Sequence, residues 1–465
     1  LLTLAGRAVS RMSAAKAERM TRVLAPTFIA LLFAVHLLLG YLMEYTPSGD
    51  NSMLYNGAQM LAADGNFDKR PAIETYLLHF SNQWGFLLML AGFYKLLFAL
   101  GVTQTFFPLA LAQAVLYIFG TRATLRIAKR LSSAKGELMT LLMLACCLPM
   151  YLAAAVLYTD TFSVPFIMMA LDLALRIRDE SSRNKQLALA AACGVVVSIG
   201  CQIKMTVLIA LMAAVIVWLL EMKPARALLC AALSAAIIAG GSIAAQRFML
   251  SRVLDPQEAA QNRTPTIHWI MMSIPSANNP YGGYMDDYTP TWRMMEKGAT
   301  HEEVMGSIYT RMKDRIYTLR HPNRLIMAAL RKNSAFIGDG TFGMTEMLDD
   351  IPIRENVISS FVLEGREHYP AYMTLCTGVW MAQLTLALLA CLRDIRRSNP
   401  ASGAEKGSLR YMTLYIAFFG MALFLMIWEA RGRYLFGFLP VLLLLAAHGT
   451  LRPEKTPKKP LSPVG

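Results

Sequence analysis

A carboxylate at the edge of a hydrophobic run can take a proton or bind a metal ion, and this chain carries two in such places. Asp50 follows the first long apolar run, in Glu44-Tyr-Thr-Pro-Ser-Gly-Asp50, and a short helical pattern from Asn51 stops at Gly65. Asp is also a favoured helix N-cap, and the two roles are compatible. Asp160 closes a later apolar run in Tyr158-Thr159-Asp160, where an acid can simply solvate a helix end. Two acids converging on one face is the arrangement of an active site, but local sequence does not bring them together.

The cations come later in the chain. Trp428-Glu429-Ala-Arg431-Gly-Arg433-Tyr434 packs its charges into a tight turn between two apolar runs. A guanidinium fork makes paired, charge-assisted hydrogen bonds to phosphate, so Arg431 and Arg433 are candidate phosphate ligands. The structural alternative is an internal pair with Glu429. Lys204 lies within the apolar run 187–220 and either snorkels to the surface or touches an anionic lipid. His268-Trp-Ile-Met-Met-Ser-Ile-Pro275 and Asn279-Pro-Tyr-Gly-Gly-Tyr284-Met-Asp286-Asp287 mix aromatics with acids. That mixture suits a sugar-binding surface, although packing within a loop-domain accounts for any one residue. His36, inside the first run, reads as a packed and hydrogen-bonded core residue.

The elements that must position these groups are membrane helices. The chain is 55% hydrophobic and 16% charged, too apolar for an ordinary soluble domain. Its apolar runs, of about 16–22 residues, are about long enough to cross the hydrocarbon core. The fold class is therefore an all-α polytopic membrane protein with about ten transmembrane helices. They are expected near 23–43, 105–125, 137–157, 161–178, twice within 187–220, and near 227–245, 370–392, 410–428 and 434–450.

Basic clusters at 7–22, 122–135, 176–185, 223–226, 393–410 and 452–459 mark the cytoplasmic side. Their alternation places Trp84 to Leu100 along the outer surface as a juxtamembrane helix, since crossing there would put the cluster at 122–135 outside; the alternative is that it crosses and the positive-inside rule fails locally. A cytoplasmic basic N-terminus (1–22), without a cleavable signal, then leads into a transmembrane module (23–245) that holds a first outer loop (44–104). A small extracytoplasmic loop-domain (246–369), C-terminal helices (370–450) and a cytoplasmic Lys/Pro-rich tail (451–465) follow. The expected location is a cell membrane, crossed many times, with both termini cytoplasmic and the site extracytoplasmic.

The net charge of +14 resides mostly in short loops between apolar runs, and no zinc spacing or recognition helix accompanies it, so nucleic acid is not an expected partner. None of the seven cysteines falls in the long loop, and no disulfide is expected.

Together, the acid after the first span, the following Asp…Tyr…Ala…Gly helix, the second acid and the late Glu-x-Arg-x-Arg-Tyr resemble the GT-C superfamily. These are polytopic glycosyltransferases that use polyprenyl-phosphate sugars, and the likeness points to bacterial relatives of the protein O-mannosyltransferases and the aminoarabinose transferase. Tyr76-Leu-Leu-His-Phe-Ser-Asn82-Gln83-Trp-Gly85 is similar to their segment before the outer juxtamembrane helix. The matches are short and spread over residues 23–450. The resemblance implies Asp50 and Asp160 as catalytic acids, and Arg431, Arg433, Tyr434 and Lys204 on the donor phosphate. It implies Gln83, His268, Tyr284, Asp286 and Glu429 as candidates for the acceptor or sugar. The implied partners are a polyprenyl-phosphate sugar lipid, a glycan, lipid or protein acceptor, and membrane lipids. Asn51 stands where many members carry a Glu beside the Asp, which leaves the use of a divalent metal (Mg or Mn) open. A lipid-linked glycan polymerase or ligase and a transporter or flippase are the alternative classes.

Overall fold

The computed structural model describes residues 1–283, 288–344, 346, 353–398 and 410–451. Long apolar runs can satisfy their backbone only from within, and the chain answers with helices. α1 (Leu2–Arg11) and α2 (Ala14–Leu42) lead to the shorter α3 (Gly49–Ala63) and α4 (Pro71–His79), then to α5 (Trp84–Ala99). α6 (Phe106–Ala145), α7 (Thr159–Asp179), α8 (Arg183–Ile203), α9 (Val207–Glu221) and α10 (Pro224–Arg252) follow. The long segment folds into α11 (Pro256–Asn262), α12 (Thr266–Ser273), α13 (Tyr288–Glu296), α14 (His301–Thr318), α15 (Pro322–Ile337) and α16 (Val357–Val362). α17 (Tyr369–Ser398), α18 (Met412–Ile427), α19 (Gly432–Phe436) and α20 (Leu439–Thr450) complete the chain, and no β-strand occurs among the described residues. Among the described residues five helices (α2, α6, α8, α10 and α17) are long and apolar enough to cross a membrane, and α9, α18 and α20 are shorter apolar helices.

α6 holds both helices expected near 105–125 and 137–157, joined at a break between them, but the second ends short of 157. Ser132 and Ser133 leave helical geometry, Ser133 with φ +64°, and the helix doubles back there. The His36 ring shows the hairpin: it meets Tyr117 on the first arm edge-on at 4.9 Å and the Met150 carbonyl beyond the second at 2.9 Å. His36 is indeed a buried, hydrogen-bonded core residue. The second arm is helical only to Ala145; a 3₁₀ turn (Leu148–Leu152) and irregular backbone then run to Tyr158. Pro149 lacks the N–H that would continue a helix. Carbonyls that this stretch leaves without a helical partner are buried in protein and find side chains: His36 reaches Met150 O and the Tyr55 hydroxyl donates to Leu157 O. Irregular backbone deep in a helical bundle is tolerated on those terms.

Two helices extend beyond their expected spans through charged residues. α2 begins at Ala14, where Ser13 caps it by accepting from the Lys16 N–H, so Lys16, Arg19 and Arg22 lie on the helix. α10 runs past 245 to Arg252. Arg, Lys, Gln and Leu are good helix formers, and nothing in these stretches breaks the pattern. The break expected near Lys204 is present: its backbone is extended (φ −155°), and Gly200 lets Val207 of α9 approach within 2.8 Å of where a Cβ would stand.

The helices run between two ends. At the basic end Arg130 pairs with Asp179 at 2.7 Å, Arg178 with Glu221 at 3.6 Å, and Arg393 holds the Leu451 carbonyl at 2.8 Å. At the opposite end lie Asp50, Asp160, Lys204 and the 428–434 turn. Both ends of α5 stay there: Gly85 abuts Gln202 at the end of α8, and just after α5 Gln104 donates to Glu44 at the end of α2 at 2.9 Å. The long segment builds a small core of its own from Met271, Met295, Val304 and Ile308.

Small residues let helices approach closely where no water drives them together. Gly449 of α20 is one: an added Cβ would lie 2.8 Å from the Leu386 carbonyl carbon of α17 and closer still to its oxygen. Gly449→Ala is expected to cost about 1–3 kcal/mol through this backbone clash, read as a lowered unfolding temperature in detergent. A variant as heat-stable as the parent would show that α17 and α20 separate without cost.

Candidate active site

The site starts at the N-terminus of α7. Tyr158 is extended there (ψ 169°), and Thr161 closes the first turn by hydrogen bonding back to the Tyr158 carbonyl at 2.9 Å. Asp160 falls in that first turn, where exposed N–H groups favour negative charge. Its side chain is 3% exposed. An acid buried this deeply needs counter-charges, and two elements supply them. Lys204, at the break between α8 and α9, pairs with one carboxylate oxygen, and Arg433 of α19 faces the other with Nε at 3.8 Å.

From there the network continues through the 428–434 turn. The Lys204 ammonium sits 4.1 Å over the Tyr434 ring, a cation–π contact. The Tyr434 hydroxyl donates to Glu429 Oε2 at 2.9 Å. Glu429 is buried, and its Oε1 meets Arg431 Nε at 3.2 Å. Arg431 also reaches Glu346 at 3.0 Å.

Asp50 joins on the other side through Tyr158. The phenol donates to Asp50 Oδ2 at 3.2 Å and accepts from Gln83 Nε2 at 3.4 Å. The Arg433 guanidinium stands 5.6 Å from the centre of the same ring. Tyr76 of α4 is buried beside the Asp50 carboxylate. One tyrosine ring thus separates a half-buried carboxylate from a cluster of cations held by buried acids.

The long segment holds the 428–434 turn in place. Ala430 N–H donates to Gly282 O at 3.0 Å, and the Ser273 hydroxyl donates to Ile427 O at 3.1 Å. Gly282 adopts φ +63°, and a Cβ there would strike the Ser273 carbonyl, so only glycine fits this turn. An aromatic seam reinforces the contact: His79 stacks on Trp292 at 4.8 Å, Phe80 lies 5.9 Å from Trp269, and Trp269 stacks on Trp428 at 6.5 Å.

Lys332 of α15 enters the same region and donates to the Ser273 carbonyl at 2.7 Å. Burial pushes its ammonium down to about 8, against the opposing pull of Glu429. A lysine whose folded pKa lies below its free value penalises the fold while charged, and that penalty fades as pH rises from about 8 toward about 10.5. Unfolding followed across that window should show a stability gain in the parent that Lys332→Met lacks; parallel pH profiles would mean the ammonium is solvated.

Of the sequence candidates, the structure brings together Asp50, Gln83, Asp160, Lys204, Glu429, Arg431, Arg433 and Tyr434. The internal Glu429–Arg431 pair weighed as the structural alternative is present. Asp50 is not an N-cap: Ser48 holds that position in α3, and Asp50 lies in its first turn. His268 does not belong to the site. It is fully buried among the loop helices and hydrogen-bonded to the Thr291 hydroxyl at 3.1 Å, a core residue with no sugar-facing edge. Tyr284 and Asp286 lie outside the described residues. Among the described residues no group of three or more His, Cys, Asp or Glu side chains gathers as a metal site.

Tyr158, Tyr76, Glu346 and Lys332 were not among the sequence candidates. Tyr158 had a signal, two residues before Asp160. Lys332 had one too, as a charge on the apolar side of an amphipathic helix. Glu346 had none. Chemically, the site offers guanidinium and ammonium groups for an anion and a carboxylate with phenol neighbours for a proton.

No curated protein and no solved structure matches the chain. A family described as conserved hypothetical integral membrane protein matches residues 122–452, a segment that contains Asp160, Lys204 and the 428–434 turn but begins after Asp50 and Gln83. The match covers well over half of the sequence, and the chain belongs to this family of integral membrane proteins.

Proposed function

We propose that the protein is a membrane glycosyltransferase that moves a sugar from a polyprenyl-phosphate donor to an acceptor hydroxyl on the outer face of the membrane. One observation supports this above the others: a half-buried carboxylate, Asp50, is joined through the Tyr158 hydroxyl and ring to Arg433, and so to Lys204, at one end of a helical bundle. In this reading the acceptor hydroxyl gives its proton to Asp50 and its oxygen attacks the anomeric carbon. The bond from that carbon to the phosphate oxygen breaks, and polyprenyl phosphate leaves with the electron pair. Displacement from the opposite side inverts the anomeric carbon. Lys204, Arg433 and Arg431 stabilise the charge that builds on the leaving phosphate. Asp160 and Glu429 act on those cations, holding them at fixed positions, and so are positioning residues. Gln83 orients Tyr158 toward Asp50. A Mg or Mn ion would find Asp50 as its carboxylate in the network, because Asp160 and Glu429 are paired with cations.

The topology of this reading has ten crossings. They are α2, the two arms of α6 (the second completed by residues 148–158), α7, α8, α9, α10, α17, α18, and α19 with α20. α5 lies along the outer surface, α11–α16 form the outer loop-domain, and the basic end faces the cytoplasm with both termini. Sided cysteine labelling tests it, in a background without the seven native cysteines. Cysteines at 50 and 431 should react with an impermeant reagent from the outside, and cysteines at 130 and 185 only after the membrane is opened. Labelling of 50 and 431 from opposite sides would end the proposal.

The activity test is release of polyprenyl phosphate from a panel of polyprenyl-phosphate sugars by the purified protein. Transfer to a growing lipid-linked glycan would assign it to the polymerase or ligase class. A second reading, transport or flipping, draws on the broken stretch 146–158 and the buried Lys204–Asp160 pair. It predicts movement of a lipid or solute across proteoliposomes without release of polyprenyl phosphate.

A further inference from the structure

At the end of the bundle away from Asp50, α7 packs against α6 on one side and α8 on the other, forming the floor of a groove. The groove holds a cavity of about 520 Å³ whose lining includes Arg130, Arg176, Asp179, Lys185, Ala188 and Leu189. Its charge is built from below. Asp172 of α7 is 2% exposed and receives Arg126 at 2.8 Å and Arg176 at 2.9 Å, while those two side chains remain 47% and 35% exposed. One buried acid therefore fixes two guanidinium groups whose remaining edges face outward. Arg130 is held by Asp179 at 2.7 Å, and Lys185 stands near Glu180 on the opposite wall. Arg126, Arg130, Arg176 and Lys185 thus face Asp172, Asp179 and Glu180, and Asp179 also pairs with Arg178 at 2.9 Å.

The two helices flanking α7 carry exposed apolar residues that lead toward the cavity. On α6 the exposed residues Leu111, Val115 and Phe119 form one stripe that continues into Arg122 and Arg126. On α8 the exposed residues Ile199, Val195 and Ala192 lead down to Ala188. Apolar stripes ending in a basic cavity suit an amphiphile with an anionic head, whereas inorganic phosphate would use the cavity alone.

We infer that this groove binds an anionic phospholipid, with its phosphate among Arg130, Arg176 and Lys185 and its acyl chains along α6 and α8. The site is separate from the Asp50 end and independent of the reaction proposed there.

The test is lipid binding by the full chain in detergent, followed by native mass spectrometry, with phosphatidylglycerol, phosphatidylcholine and inorganic phosphate as probes. Phosphatidylglycerol should bind more tightly than phosphatidylcholine. The double variant Arg130→Gln/Lys185→Gln should weaken phosphatidylglycerol about tenfold or more, because two basic contacts are removed. Lys69→Gln, an exposed lysine outside the groove, should leave binding unchanged. Arg176 stays intact in these variants because it neutralises Asp172. If the double variant does not elute as a folded species, Lys185→Gln alone serves, and the parent's preference between the two lipids stands as a separate measurement. Equal binding of the two lipids, or unaltered phosphatidylglycerol binding by the variant, overturns the inference. Phosphate binding as tight as the lipid's, with the same sensitivity to the variant, would make this a phosphate site and also overturns it.

Discussion

Asp160→Ala is expected to damage the protein more than any other single change in the network, lowering its stability by roughly 3–5 kcal/mol. The reason is electrostatic. Lys204 and Arg433 are brought into the bundle by this acid, from the α8–α9 break and from α19. Without it two positive charges face each other in a poorly hydrated place, and neither can leave without breaking the element that carries it. Asp160→Asn keeps the shape but not the charge, so it should recover only part of the loss. Adding Lys204→Met to Asp160→Asn removes one of the stranded charges and should restore stability further, because neighbouring sites couple strongly. The readout is the unfolding temperature in detergent for the parent, the single variants and the pair. A parent-like Asp160→Ala protein would show that the acid is solvated and that these ion pairs do not organise the site.

Why Asp160 matters was only half legible beforehand. Its place at the end of an apolar run was plain, but its partners come from positions 204 and 433, and no local pattern announces a contact over such separations. Hydropathy and basic clusters locate the long apolar helices but not the short ones of the long segment, since the cost of an unpaired backbone in lipid acts on each apolar run by itself. They also place a reversal between 125 and 137, where Ser132–Ser133 breaks the helix, but not the irregular stretch to Tyr158, because that depends on acceptors being met by His36 and Tyr55 from other helices. Tyr158 shows the same limit. A tyrosine beside an acid is unremarkable by composition, and its role comes from bonding Asp50 and Gln83 at once while its ring faces Arg433. His268 shows the opposite limit: polar and aromatic neighbours look alike whether they line a ligand surface or a small core, and here packing within the loop helices accounts for it.

Asp50→Asn should separate chemistry from structure. Asp50 is only half buried, and its hydrogen-bond donor is the neutral Tyr158 hydroxyl, which an asparagine oxygen can also accept from. Stability should therefore change little, within about 1 kcal/mol. Transfer should fall by about 10²–10⁴-fold, the usual contribution of a positioned general base. Donor affinity should hold, since the phosphate is assigned to Arg433, Lys204 and Arg431, whereas Arg431→Ala should weaken donor binding and leave the proton step intact. Tyr158→Phe removes the hydroxyl that orients Asp50 and keeps the ring under Arg433, so it should lower turnover by less than Asp50→Asn does. This set assigns roles because the two acids carry opposite signatures: Asp160 variants lose the fold and Asp50 variants lose the reaction. A stable Asp50→Asn protein with parental turnover would remove the base from the mechanism even if polyprenyl-phosphate sugars remained its substrates. Loss of stability in that variant instead would make Asp50 a structural acid like Asp160.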